Sequence, residues 1–290
     1  MSLPTRPSRL AMRIALAGTL VISSAAPASA ARPSTLPDVS STAEGRTAAA
    51  EAAQRFTIAG VPTSADELRV YELSPDDYLV GPADTVVNVE RSARGGISEI
   101  TTVEPATPAG STEATSDFQA AAAPYWSLVG SYCWARTNKT GGWMDTCYHK
   151  HKLINDGSST SDWFELHMFG TAKSTYPYRL FDAYVHASPN GGATQYWHDW
   201  DPGGDLNLSC QTITIGIVAQ GAAIGYNHNA CEKWDITKYA AAGTFRTTWR
   251  AGLTPPVASE RETAFTIASR VANGGTAYWK FSWNFTAACC

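Results

Sequence analysis

The sequence predicts an all-β fold, either a disulfide-bonded β-sandwich or a barrel, preceded by a small α+β segment. From residue 124 onward, short runs that alternate apolar and polar residues are separated by clusters of Gly, Asn, Asp and Pro. About nine strands at this spacing, with almost no helical periodicity, are typical of sandwiches and barrels. All six cysteines lie in this region, and an even number in an exported chain indicates disulfides.

Composition divides the chain near residue 124. Residues 31–123 carry 14 acidic and 6 basic side chains, whereas residues 124–290 carry 12 acidic and 13 basic ones. All ten Trp and all six His also lie in the second part. A break this sharp predicts a domain boundary. The net charge of the whole chain is −4, which gives no reason to expect a nucleic-acid partner.

The first thirty residues have the pattern of a signal peptide. Three arginines precede a short apolar run over residues 14–26, and Ala28 and Ala30 fit the small-residue rule for cleavage. We therefore predict a Sec-type signal peptide over residues 1–30, cleavage after Ala30, and a secreted, extracellular protein. No later stretch reaches the roughly 18 apolar residues of a membrane helix, so no stable membrane span is expected.

Residues 31–104 predict a small acidic unit with three short strands and one helix, which Thr47 would cap and which covers residues 48–58. Residues 105–123 are rich in Pro, Thr, Ser and Ala, which is typical of a linker with a processing site. An acidic unit without cysteine thus precedes a neutral, cysteine-containing one. This order favours a propeptide over an accessory domain, with residues 124–290 as the mature all-β domain.

Two predicted hairpins bring cysteines together. One turns at Gly141 and Gly142, and the other turns at Gln220 and Gly221. Each hairpin carries one cysteine on each side of its turn. The last two cysteines are adjacent and point to opposite faces of a strand, so they would suit two different partners. Pairing the other four leaves them only a strained bond with each other, although six cysteines allow 15 connectivities. The predicted pairs are Cys133–Cys147, Cys210–Cys231 and Cys289–Cys290.

One helix and one further hairpin complete the predicted domain. Asp235 has the chemistry of an N-cap for a helix over residues 236–242, which Gly243 would end. The final hairpin pairs residues 264–271 with residues 276–286. Strict alternation in its second strand predicts one buried aromatic face, formed by Trp279, Phe281, Trp283 and Phe285.

Two consecutive strands, residues 162–169 and 176–186, carry the most distinctive polar face. If Leu166 faces the core in the first strand, and Phe181 and Val185 do so in the second, the alternate side chains face outward. The connection is short, so we expect the strands to be antiparallel neighbours. Their shared outer face would then hold Trp163, Glu165, His167, Tyr178, Asp182, Tyr184 and His186.

This face predicts a ligand-binding site on a secreted β-domain, with carbohydrate as the favoured ligand. Aromatic rings pack on the C–H faces of sugars, and carboxylates accept hydrogen bonds from sugar hydroxyls, so an extracellular polysaccharide is the expected partner. The first alternative is a hydrolase activated by propeptide removal, with Glu165 and Asp182 as the acid and base. The structural alternative is that these residues form cross-strand pairs that only stabilise the sheet.

One acidic loop is a candidate calcium site. Asp199, Asp201 and Asp205 place three carboxylates in a Gly-containing loop, where oxygen ligands could bind calcium. Turn chemistry explains the same residues, because Asp, Pro and Gly are common in turns. No other cofactor is expected.

An H-x-H pair is a weaker candidate for a metal site. His149 and His151 lie on one face of a predicted strand, as in many metal sites, but two ligands do not hold a metal ion. A third ligand would have to come from Glu165 or His167, and only if that strand lies alongside. A surface or hydrogen-bonded pair is the favoured interpretation.

The apolar hairpin over residues 210–235 gives a second alternative function. Alternating segments of about ten residues occur in membrane-active secreted toxins, although a core hairpin of a sandwich has the same pattern. The core interpretation is favoured, and it makes His228 and Glu232 structural residues near a disulfide.

Overall fold

This computed structural model describes residues 36–105, 123–239, 242–255 and 257–289. Within these residues, the segments that alternate apolar and polar side chains form fourteen strands. The predicted signal peptide and nearly all of the predicted linker lie outside these residues. One α-helix, α1 (Ala43–Ile58), and one short 3-10 helix (Ala65–Glu67) precede the first strand. Helix α1 contains the predicted 48–58 helix, but its N-cap is Thr42, which accepts the backbone N–H of Gly45.

The strands have the following bounds in chain order: β1 (Leu68–Ser74), β2 (Asp77–Pro82), β3 (Val86–Arg91), β4 (Ile97–Val103), β5 (Tyr125–Asn138), β6 (Gly142–Ile154), β7 (Ser161–Ser174), β8 (Arg179–Gly192), β9 (Tyr196–Asp201), β10 (Leu206–Ala219), β11 (Ala222–Tyr239), β12 (Thr244–Arg250), β13 (Glu260–Ala272) and β14 (Ala277–Ala288). They form two antiparallel seven-stranded sheets. Sheet I has the order β1-β2-β5-β6-β7-β13-β9, and sheet II has the order β10-β11-β12-β8-β14-β4-β3.

The inner faces of the two sheets share one hydrophobic core. Leu166 and Met168 of β7 lie in the same buried cluster as Val185 of β8. Burying each such side chain contributes about 1.5–3 kcal/mol, so this layer stabilises the fold strongly. The all-β prediction is confirmed. The predicted aromatic face of the last strand is buried in this core, and it consists of Trp279, Phe281, Trp283 and Phe285.

The two disulfides that the hairpins predict are present. Cys133 and Cys147 are direct partners on β5 and β6, with Cα atoms 4.1 Å apart. Cys210 and Cys231 join β10 to β11 with Cα atoms 4.0 Å apart, beside a register shift in that hairpin. Cys290 lies outside the described residues, so the bond between the last two cysteines stays a prediction.

The acidic segment extends both sheets. Strand β2 pairs with β5 in sheet I, and β4 pairs with β14 in sheet II. Leu79 and Ile100 of this segment are fully buried in the shared core. The break in composition near residue 124 therefore does not separate two cores, and removal of the segment as a propeptide stays a prediction.

The predicted helix over residues 236–242 is wrong for residues 236–239, and residues 240 and 241 lie outside the described part of the chain. Strand β11 continues to Tyr239, and its last part pairs with β12. Asp235 caps no helix, because Lys233 and Arg250 bind its carboxylate within the sheet. Long-range strand pairing outweighs the local capping pattern here.

The prediction that residues 162–169 and 176–186 are neighbouring strands is also wrong. Strand β7 pairs with β6 and β13 in sheet I, whereas β8 pairs with β12 and β14 in sheet II. Phe181 is 39% exposed, and Leu180 is buried instead. The reason is a register shift between β8 and β14 at this point, which changes the alternation by one residue.

Two elements cover the outer face of sheet I. Helix α1 packs its alanines and Phe56 on Val80 and on the disulfide between β5 and β6. The β10–β11 hairpin packs Ile217 in one cluster with Trp163 of β7. The stretch of sheet between these two covers holds the candidate site.

Candidate functional site

A cleft of about 500 Å³ lies on the outer face of sheet I. The end of α1 contributes Arg55 and Ile58, β6 and β7 contribute much of the floor, and the β10–β11 hairpin contributes Tyr226 and His228. Cavities of roughly 300–1,000 Å³ are usual for small organic ligands. The lining residues are Arg55, Ile58, Ala59, Trp143, Asp145, Cys147, His149, His167, Phe169, Thr171, Tyr226, Asn227, His228, Glu260 and Glu262.

Strand register brings the histidines of the floor together. His149 of β6 lies directly opposite His167 of β7, and the two rings are stacked with centroids 6.1 Å apart. Tyr226 stacks on His167 with centroids 3.7 Å apart. Ser131 Oγ lies 2.8 Å from His149 Nδ1. The H-x-H strand and the strand of Glu165 and His167 therefore do lie alongside each other.

Glu165 lies beneath the hairpin and is fully buried. Its Oε2 atom lies 2.8 Å from His151 Nδ1 and accepts a hydrogen bond from the Tyr226 hydroxyl at 3.3 Å. Its Oε1 atom accepts from the Thr266 hydroxyl at 2.6 Å. Burial raises the pKa of Glu165, although these hydrogen bonds oppose the increase. Glu165 does not line the cleft, but its hydrogen bonds hold His151 and Tyr226 in place beside the cleft.

The hairpin contributes a second chain of polar contacts. His228 Nε2 lies 3.2 Å from His167 Nε2, and His228 Nδ1 lies 3.3 Å from Glu262 Oε2. The backbone N–H of Asn229 donates to the same Glu262 oxygen at 2.9 Å. Burial acts to raise the pKa of Glu262, but the hydrogen bonds from His228 and Asn229 outweigh burial and hold this pKa below its usual value.

The imidazoles of His149 and His167 are neutral at neutral pH. Burial, with a smaller effect from the neighbouring His151, lowers the pKa of His149 to about 4. Burial, together with the surrounding histidines, lowers the pKa of His167 well below its usual value. Nδ1 of His167 is buried without a hydrogen-bond partner among the described residues.

Asp145 joins the cleft to helix α1. Its Oδ2 atom accepts a hydrogen bond from Arg55 Nε at 2.7 Å, and the Arg55 guanidinium lies 4.8 Å from the centre of the Trp143 ring. Its Oδ1 atom is buried and has no hydrogen-bond partner among the described residues. Burial raises the pKa of Asp145 to about 6 in spite of Arg55.

The predicted ligand face is divided between the two sheets. Glu165 belongs to sheet I and Asp182 to sheet II, so the two do not share a face and the predicted acid and base pair does not form. Tyr178 precedes β8 in a turn and is not part of either strand. The remaining predicted residues are Trp163 and His167 on sheet I, and Tyr184 and His186 on sheet II.

The sheet II residues of that prediction make cross-strand contacts. The Arg246 guanidinium of β12 lies 3.7 Å from the centre of the Tyr184 ring, and the Tyr184 hydroxyl donates to the Ser98 carbonyl at 3.2 Å. Asp182 accepts a hydrogen bond from the Thr286 hydroxyl at 3.2 Å. These contacts match the alternative in which the polar pairs stabilise the sheet.

The predicted calcium loop does not gather its three carboxylates. Asp199 and Asp201 each accept a backbone N–H of β10, so both hold β9 against β10. Asp205 accepts the backbone N–H of Ile236 instead. Across the described ranges, no group of three or more His, Cys, Asp and Glu side chains is placed to hold a metal ion.

His228 and Tyr226 line the cleft, although no pattern in the sequence predicts a site role for either residue. The interpretation of His228 as a structural residue beside a disulfide did not anticipate that the hairpin lies across sheet I. The hairpin register shifts beside Cys231, where Glu232 has a φ of 61°. The alternating isoleucines of β10 indicated a buried hairpin face but did not identify the surface that it covers.

Comparisons with known proteins assign neither a family nor a function to this chain. Neither a scan against protein-family models nor a search of curated proteins found a match to this chain. In the described part of the chain, no helix is long and apolar enough to cross a membrane. The cleft itself is therefore the basis for a functional proposal.

Proposed function

We propose that this protein is secreted and binds a carbohydrate in the cleft on the outer face of sheet I. The observation that carries this proposal is the combination of aromatic rings and carboxylates around one cavity of about 500 Å³. Trp143, Phe169 and Tyr226 offer apolar ring surface, and Asp145 and Glu262 offer acceptors for hydroxyl groups. The two disulfides are compatible with an oxidising, extracellular location.

Retention on insoluble polysaccharides tests the proposal. The full chain is expected to be retained, and Trp143→Ala is expected to weaken retention because it removes ring surface from the cleft. Tyr196→Ala is the matched control, since Tyr196 is a 59% exposed aromatic residue that does not line the cleft. Absence of retention on every polysaccharide, or equal loss in both variants, would contradict the proposal.

A hydrolase is the second candidate, now with Asp145 and Glu262 as its carboxylates. Both lie opposite Thr171 of β7, on the two neighbouring strands β6 and β13. Strands are about 4.8 Å apart, so the two Cα atoms are separated by about 10 Å. Inverting glycosidases place their carboxyl groups about 6.5–9.5 Å apart, with water between the base and the sugar.

The opposite pKa shifts of this pair favour the same candidate. Asp145, with its pKa raised to about 6, would protonate the leaving oxygen, and Glu262, with its lowered pKa, would take the proton of the attacking water. Release of reducing ends from oligosaccharides is the measurement. Activity that Asp145→Asn and Glu262→Gln both abolish would support a hydrolase, and absence of release would exclude it for those substrates.

The acidic segment, predicted over residues 31–104, is proposed to act as a propeptide that narrows the cleft. It supplies the outer strand pair of each sheet and the wall of the cleft formed by Arg55 and Ile58. Without it, each sheet would keep five consecutive strands. Cleavage in the linker followed by size-exclusion chromatography tests separation, and co-elution of both fragments under all native conditions would count against a removed propeptide.

The membrane-active alternative for the hairpin also stays a prediction. Tyr226 and His228 hold the hairpin on sheet I through Glu165, His167 and Glu262, so insertion would first have to break these contacts. Dye release from liposomes by the full chain and by linker-cleaved protein is the corresponding measurement.

A further inference from the structure

The charges that line the cleft are predominantly negative. Asp145, Glu260 and Glu262 are carboxylates, and Arg55 is the guanidinium that faces them. Glu260 is half exposed and lies 3.6 Å from Lys173, so water and this lysine screen it. The two inner carboxylates, Asp145 and Glu262, are therefore the strongest determinants of the charge that a ligand would meet.

The Asp145 carboxylate is only partly neutralised by the protein. Its side chain is largely buried, with 6% of the residue exposed, and Arg55 occupies only its Oδ2 atom. The buried Oδ1 atom has no partner among the described residues. A buried acceptor without a donor is unfavourable, and a ligand that donates to this carboxylate would relieve that cost.

The rest of the cleft also favours a cation. His149 and His167 are neutral at neutral pH, so the floor adds no positive charge that would repel one. The rings of Tyr226 and Phe169 present π surfaces, which attract cations. An anionic ligand would instead be placed beside two inner carboxylates in a partly desolvated space.

We propose that the ligand of the cleft is a sugar that carries a free, protonated amino group. The ammonium group pairs with the Asp145 carboxylate, and Glu262 adds a second negative charge on the other side of Thr171. The sugar ring occupies the aromatic part of the cleft. This inference rests on the proposed carbohydrate function and adds the chemical class of the sugar.

Calorimetric titration of the full chain with three matched oligomers tests the inference. The probes are β-1,4-linked tetramers of glucosamine, N-acetylglucosamine and glucose, which share a backbone and differ at one substituent. The glucosamine tetramer is expected to bind at least about tenfold more tightly than the other two, as expected for one charge-assisted hydrogen bond. Equal or tighter binding of a neutral tetramer would overturn the amino-sugar inference but would leave carbohydrate binding standing.

Absence of binding by all three tetramers would contradict the proposed function and the inference together. Variants separate the charge effect from folding. Asp145→Asn is expected to reduce the preference for the glucosamine tetramer by about tenfold, because it removes the charge-assisted hydrogen bond. Glu262→Gln, which removes only the second negative charge, is expected to reduce the preference by a smaller factor, and Asp182→Asn on sheet II is the control. If Asp145→Asn does not fold, Glu262→Gln alone decides, and an unchanged preference in that variant would overturn the inference.

Discussion

The outer faces of the two sheets carry similar residues and differ in what covers them. Sheet I presents Glu165 and His167, and sheet II presents Asp182 and His186. On sheet I, the β10–β11 hairpin reduces exposure to 0% for Glu165 and 1% for His167. On sheet II, Asp182 and His186 remain partly exposed and lie among cross-strand contacts.

This difference shows how a cover changes the chemistry of a polar strand face. Burial raises the pKa of both Glu165 and Asp182 and lowers the pKa of both His167 and His186, but only on sheet I is the burial complete. Next to the hairpin, the outer face of sheet I keeps a cleft that helix α1 closes on its other side. The cover therefore creates a partly desolvated space beside buried polar groups.

The strongest contrast between the faces is expected in stability. Glu165→Ala is expected to cost about 3 kcal/mol of unfolding free energy, because His151, Tyr226 and Thr266 lose a buried partner. Asp182→Ala is expected to cost less than about 1 kcal/mol. Urea unfolding of both variants measures the contrast, and equal losses would show that the hairpin does not desolvate Glu165.

The next largest expected effect is a pH dependence of the affinity of the cleft for the amino sugar. Asp145 is ionised above its pKa of about 6, so an ammonium group should lose affinity for it as pH falls through this value. Arg55, which donates a hydrogen bond to Asp145, lowers this pKa, and the charge of Glu260, which also lines the cleft, raises it. Because the sugar amine also gains protons over this range, the informative quantity is the affinity of wild type relative to Asp145→Asn.

That affinity ratio for the glucosamine tetramer is expected to shrink up to about tenfold between about pH 7 and pH 5. The corresponding ratio for Asp182→Asn should stay constant, because Asp182 does not line the cleft. A ratio for Asp145→Asn that is independent of pH would show that the ammonium group does not contact this carboxylate.

The smallest expected difference between the two sheets is the loss of stability when a histidine is removed from the contact between the hairpin and sheet I. His228→Ala removes the partner of His167 and Glu262 and is expected to cost about 1 kcal/mol. His186→Ala on sheet II is the comparison and should change stability by less than about 0.5 kcal/mol. Thermal unfolding measures both variants, and a larger loss for His186→Ala would contradict the assignment of the covered face.

Local patterns predicted the local parts of this fold well. The Cys133–Cys147 and Cys210–Cys231 bonds follow from hairpins whose turns are visible in the sequence. The aromatic face of β14 follows from strict alternation. Each of these predictions needs only residues that are close together in the chain.

The features that local patterns did not predict all depend on pairing between distant parts of the chain. Strand β7 pairs with β13, which comes much later in the chain, and not with β8, so the predicted single ligand face does not form. The helix predicted after Asp235 is a strand because β12 pairs with it. His228 reaches His167 only because the hairpin lies across the other sheet, and periodicity along one strand does not encode that path.

The covered face of sheet I, and not sheet II, is inferred to hold the ligand site. Imidazole ¹H–¹⁵N spectra of the full chain, recorded during titration with the glucosamine tetramer, test this inference most directly. The resonances of His149 and His228 are expected to shift with ligand, since both line the cleft, and those of His186 are not. A ligand-dependent shift at His186, with none at His149 and His228, would contradict the assignment of the site to sheet I.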